Sequence, residues 1–94
     1  MHSPIAFLIA RDLSIRWESA MVVFGYDTEG LIAGLTEAQW HRLSLAAGLP
    51  VPDRDVRTMI KDRIGTRNAL RELRRLQQDL FDGPACMRAL RFCT

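Results

Sequence analysis

The chain has 94 residues, 48% of them hydrophobic and 26% charged, with a formal net charge of +2 at pH 7. That length suits one small domain whose core is barely adequate alone, so dimerisation is a natural remedy and a monomeric enzyme with a deep private pocket is disfavoured. The composition argues against a disordered chain, no apolar run has the about 20 residues that cross a bilayer, and the start lacks a basic stretch and a small-residue cleavage site, so a cytoplasmic protein with no membrane partner is expected.

Ser3 and Pro4 open the first predicted helix, the hydroxyl as N-cap and the proline at a position where its missing N–H costs nothing. Ile5, Leu8, Ile9, Leu13, Trp17, Ala20, Met21 and Phe24 then recur at helical spacing, with Arg11, Asp12, Arg16 and Glu18 mostly between them. Phe7, Val22 and Val23 widen that apolar face. Gly25 is expected at positive φ as the stop, with Asp27 capping the next helix and Glu29 in its first turn, so "SAMVVFGYDTEG" encodes a corner between two helices. The second helix, about Thr28 to Gly34, carries Leu31, Ile32 and Leu35 toward its end. "TEAQ" is a capping box for a third helix, 37 to 47, with Trp40, Leu43 and Ala47 on its buried side, ended by Gly48.

"LPVPD" enforces an extended connector. Asp53 or Asp55 caps a fourth helix with Val56, Met59, Ile60 and Ile64 as its stripe, and Gly65 is expected to end it. Thr66 caps a fifth, "TRNALRELRRLQQDLF", which sets Leu70, Leu73, Leu76, Leu80 and Phe81 on one side and Arg67, Arg71, Arg74 and Arg75 around the other. Asp82-Gly83-Pro84 breaks it before a last turn or short helix holding Cys86, Met87, Leu90 and Phe92. Strand alternation is absent. The expected fold is all-α, with five to six short helices in a single domain, 1–47 supplying dimerisation helices and 53–94 a basic helical part.

No catalytic or cofactor machinery is legible. There is no nucleophile elbow, no His-x-x-Glu-His run and no glycine-rich phosphate loop, so neither an enzyme nor a cofactor is expected. Cys86 and Cys93 read as reduced thiols, and His2 and His41 have no ligand spacing to them that would make a zinc site. His41 reads as an exposed or capping residue. Trp17, Trp40 and Tyr26 read as filling a core or a dimer interface.

Charge is unevenly placed. Residues 1–52 carry Arg11, Arg16 and Arg42 against Asp12, Glu18, Asp27, Glu29 and Glu37. Residues 53–81 carry Arg54, Arg57, Lys61, Arg63, Arg67, Arg71, Arg74 and Arg75 against Asp53, Asp55, Asp62, Glu72 and Asp79. The two helices expected to meet at Ile64-Gly65-Thr66 loosely resemble a DNA-binding helix-turn-helix, and Arg57, Lys61, Arg67, Arg71 and Arg74 are the candidate contacts to DNA or to a partner. The commoner meaning of such a helix is a solvated face with ion pairs one turn apart, so DNA is expected only within a complex.

"LIARDLSIRWESAMVVFGYDTEGLIAGLTEAQW" is similar to the N-terminal half of the FlhD family of flagellar transcriptional regulators. The matching features are Leu8 to Ala10, Ser19-Ala20-Met21, Gly25, Asp27 with Glu29, Leu35-Thr36 and Gln39. The resemblance covers about half the chain and implies an all-helical homodimer that joins a second regulator, FlhC, in an activator of flagellar promoters. The family often has a cysteine after the third helix that bridges the dimer. Val51 stands at the comparable place here, so the resemblance implies no interchain disulfide there. Leu8, Ile9, Leu13, Trp17, Met21, Phe24, Leu31 and Leu35 are the expected dimer interface. Beyond residue 54 nothing matches the family.

Composition and helix pattern fit a rival equally well, an antiactivator that binds a transcription factor, such as a quorum-sensing receptor, and blocks its dimerisation and DNA binding. A structural or phage accessory protein is a third reading.

Overall fold

Four helices, α1 (Pro4–Phe24), α2 (Glu29–Ala33), α3 (Glu37–Ala47) and α4 (Arg54–Asp82), form the regular structure of residues 3–82, the residues described by the computed structural model of the chain. Side chains satisfy the free N–H groups that open them. Ser3 Oγ accepts from the Ala6 N–H at 3.1 Å and Thr28 Oγ1 from the Leu31 N–H at 3.2 Å. Thr36 and Gln39 close a reciprocal capping box at 3.2 and 2.8 Å, and Asp53 Oδ1 accepts from the Val56 N–H at 2.8 Å. Thr28, and not Asp27, is therefore the cap of α2. Gly25 (φ 85°) and Gly48 (φ 67°) terminate α1 and α3 in the left-handed region, as expected of Gly25, while Gly48 was expected only as the end of its helix.

The core is small. Trp17 and Met21 of α1, Ile32 of α2, Trp40 of α3 and Val56, Ile60 and Ile64 of α4 are buried together, with Ala10, Leu13, Leu35, Leu43, Leu49 and Val51 packed around them. Trp17 and Trp40 meet edge to face, ring centroids 5.4 Å apart. The Trp17 indole N–H donates to the Pro50 carbonyl at 3.0 Å, so "LPVPD" is tied to the middle of α1. The one buried hydroxyl of the core, Ser14, donates back to the Arg11 carbonyl at 2.6 Å and leaves no unpaired polar atom there.

The all-helical class stands, and the count does not. The fourth and fifth predicted helices are one continuous helix through Ile64, Gly65 and Thr66, about 43 Å long at 1.5 Å per residue. The helix-turn-helix reading of that segment falls with the break. At Gly65 the Glu29 side chain takes the space of the missing one, since a Cβ built there would lie 1.6 Å from Glu29 Oε1 at the start of α2. One turn further on, the Asn68 amide donates to the Asp27 carbonyl at 2.8 Å. Cys86, Cys93 and the last short helix expected around them lie outside the described residues.

The long α4 makes the molecule elongated, with extents of 56 × 29 × 20 Å. Its radius of gyration is 18.7 Å, against about 13 Å for a compact domain of about 100 residues. The two kinds of glycine separate experimentally. Gly25→Ala should lose roughly 1 to 2 kcal/mol, the cost of a left-handed residue with a Cβ. Gly65→Ala should be neutral or stabilising, because a mid-helix alanine gains up to about 1 kcal/mol and the exposed Glu29 chain can swing into water. Chemical denaturation of both variants checks this, and a Gly65→Ala loss as large as that of Gly25→Ala would mean that Glu29 does not move aside.

Candidate interaction surface

The two halves of α4 present their apolar residues on different sides. Val56, Ile60 and Ile64 follow one another every fourth residue and are all buried in the core. Leu70, Leu73, Leu76 and Leu80 form a second stripe with between 48% and 68% of their surface exposed. At about 100° per residue, the centre of this second stripe lies about 150° round the helix from the first. It faces away from the protomer's own core, and every residue from 69 to 80 is exposed. The apolar face of α4 thus changes side near Gly65.

Charges border the stripe. About 100° to one side of its centre lie Arg67 and Arg74, and about 100° to the other lie Glu72 and Asp79. Arg63 and Arg67 reach back to α1, with Arg63 Nε 3.0 Å and Arg67 Nη1 4.0 Å from the Glu18 carboxylate. Where α4 leaves α1, an open depression of about 580 Å³ is lined by Glu18, Asp62, Arg63, Arg67, Leu70, Arg71 and Arg74, rich in arginine and bare of any catalytic grouping.

Arg57 belongs to a different place. Its guanidinium lies over the Trp40 ring, 5.1 Å from the centroid, its Nε donates to the Pro52 carbonyl at 2.8 Å, and its two terminal nitrogens grip the Glu37 carboxylate, one of them at 2.9 Å. Lys61 joins it beside Ile32, Leu35 and Trp40 in a second open depression. The five expected contact residues therefore fall into two groups. Arg67, Arg71 and Arg74 share one side of the projecting half of α4, whereas Arg57 is engaged in holding α3 to α4 and Lys61 sits with it.

The expected dimer interface is also divided. Trp17 and Met21 are fully buried within the protomer and have no surface for a partner, because the core needs both. Leu13 and Leu35 pack against that core and keep part of their surface. Leu8, Ile9, Phe24 and Leu31 remain exposed, as do Ile5 and Phe7. The sequence reading passed over the leucines of α4 as a site, although their phase shift from Val56, Ile60 and Ile64 was the available signal.

Among the described residues no group of three His, Cys, Asp or Glu could hold a metal ion, and no helix is long and apolar enough to cross a membrane. Comparison with models of known families, with curated proteins and with solved structures finds no match.

Hydrogen bonds from Arg57 hold the Glu37 carboxyl below its ordinary value, opposed by desolvation and aided to a lesser degree by the charges of Arg57 and His41. A folded-state value below the unfolded one adds stability that is present above the ordinary carboxylate range and is lost as pH falls through the folded value. Glu37→Gln should therefore melt slightly below the wild type at pH 7 and converge with it in acid, below the unperturbed carboxylate value of about 4.3. Arg57→Ala, which also strips the Trp40 ring and orphans the Pro52 carbonyl, should cost about 1 to 3 kcal/mol. Thermal melts across pH check both.

Proposed function

We propose that this chain is a small regulator of transcription that acts through protein–protein contacts, a homodimeric co-activator of the FlhD kind that reaches flagellar promoters only with a second, FlhC-like regulator. The observation that carries the reading is the leucine stripe of α4, exposed and turned away from the core, with Arg67, Arg71 and Arg74 on the same projecting half. An apolar helix face of this kind suits a protein partner. Three arginines on the same half of the helix, Arg67 and Arg74 at the edge of the stripe and Arg71 behind it, suit a few phosphates, which position an assembly without reading its sequence.

The same arithmetic disfavours independent DNA binding. The net charge is only +2, Arg67 already lies near Glu18, and non-specific affinity scales with the number of phosphates neutralised. The reading is accordingly non-enzymatic and places the protein in the cytoplasm, with DNA contacted only inside a complex. The leucine stripe also supports the antiactivator reading, since an exposed helical seam can occupy the dimerisation helix of a transcription factor.

Co-expression with candidate regulators, followed by a promoter gel shift, separates the two. A co-activator yields a complex with gained promoter affinity, and an antiactivator one with lost affinity. In the first case Arg67→Ala/Arg71→Ala/Arg74→Ala should weaken the complex on DNA, reduce its salt dependence by up to about three phosphates and leave sequence preference nearly unchanged. Tight, sequence-selective binding by the purified chain alone at physiological salt would defeat both readings.

A further inference from the structure

We propose that the exposed half of α4 pairs in parallel with α4 of a second copy of this chain, along Leu70, Leu73, Leu76 and Leu80. The inference rests on the protein-contact reading above and deepens it by naming the occupant of the stripe.

The choice of occupant comes from the charges that border the leucines. Arg67 and Arg74 form one edge of the stripe and Glu72 and Asp79 the other. In a parallel pair related by a two-fold axis along the helices, each arginine edge faces the partner's acidic edge, as at the flanks of a parallel coiled coil. An antiparallel pair sets arginine edge against arginine edge and acid against acid, which repels. One helix therefore carries both halves of a complementary surface, and the complement exists in the parallel orientation alone. The pairs already made within the protomer leave this possible. The Glu72 carboxylate takes Arg75 on its own helix at 2.5 Å yet keeps about half of its side chain exposed, and Arg67 stays exposed beside Glu18.

The geometry of the body permits the pairing. The core lies against the opposite side of α4, about 150° away, so two helices can meet at their leucines while both bodies point outward. Thr66 and Gln77 lie along the same seam, one near each end. Four leucines per chain make a modest interface, at the low end of the range for specific contacts and below roughly 1,200 Å² in total, so a reversible dimer with a Kd on the order of micromolar is expected.

The test uses the whole chain with Cys86→Ser and Cys93→Ser, so that added thiols report alone. Thr66→Cys and Gln77→Cys, each by itself, should form a disulfide-linked dimer on mild oxidation, whereas Arg71→Cys, which points away from the seam, should not. Linking of Gln77→Cys that appears only when that chain is mixed with a Leu73→Cys chain, the position facing 77 in an antiparallel pair centred on the stripe, would mean an antiparallel pair and overturn the proposal. Sedimentation should give a concentration-dependent dimer that Leu73→Glu/Leu76→Glu abolishes with helical circular dichroism retained, because neither leucine is in the core. Arg67→Glu/Arg74→Glu should weaken self-association several-fold, and mixing that chain with Glu72→Arg/Asp79→Arg should restore it. A chain that stays monomeric at tens of micromolar, or a dimer indifferent to the leucine and thiol changes, overturns the self-pairing, while the regulator reading is judged separately by the promoter gel shift.

Discussion

The packing of Trp17 governs the rest of the molecule. It is fully buried in α1, meets Trp40 of α3 edge to face, and gives its indole N–H to the carbonyl of Pro50 in the connector. With Met21 one turn later it supplies the surface on which Ile60 and Ile64 of α4 close. A buried Trp replaced by a small side chain typically costs about 3 to 5 kcal/mol, comparable with the whole stability of a domain this size. The fold can hold little more than this one cluster. From Ala69 to Leu80, by contrast, every residue of α4 is exposed.

That limit explains the side change in α4. Val56, Ile60 and Ile64 are the residues of α4 buried in the core, and Asn68 ties the helix to the Asp27 carbonyl one turn further on. From there the helix has no body to face, and its leucines need not continue the same stripe. Gly65 sits at the change because α2 comes close there, with the Glu29 side chain occupying the space a Cβ would take. In the sequence, the shifted apolar phase, a glycine and a threonine together look like a helix end followed by a helix start. They are a continuous helix that changes neighbours, and phase alone cannot distinguish the two.

What was legible and what was not divides along range. Ser3, Gly25, the Thr36–Gln39 box and Gly48 were readable because helix ends are settled within four residues, whereas Asp53 was readable only as one of two candidates beside Asp55. The all-helical class followed from the spacing of apolar residues over single helices. Asp27 was misassigned because two capping residues stand side by side, and only the fold shows that Thr28 takes the cap while the Asp27 backbone serves Asn68. Trp17 and Met21 were expected at an interface, since a broad apolar face on one helix does not say which part a neighbour far along the chain will cover. Arg57 was grouped with the other cations for the same reason. Its partners, Glu37 and Trp40, lie on a helix that the sequence gives no means of placing against it.

The projecting half of α4 has a further physical consequence. A helix of about 12 to 15 residues without tertiary contacts is marginal in water, because nucleation is costly and each residue adds little. Residues 69 to 80 are all exposed, and local support comes chiefly from pairs such as Glu72 with Arg75, worth only a few tenths of a kcal/mol. The attached first half removes the nucleation cost but leaves this segment at the low end of local stability. Anything that covers the leucines adds apolar burial where the protomer has none, at about 25 cal/mol for each Å² removed from water. Contact and helix stability in this half are thus coupled. A partner that binds the stripe orders this half of the helix, and the arginines it carries, at the same moment, so that protein contact and any phosphate contact made by Arg71 and Arg74 reinforce each other without a change in the core.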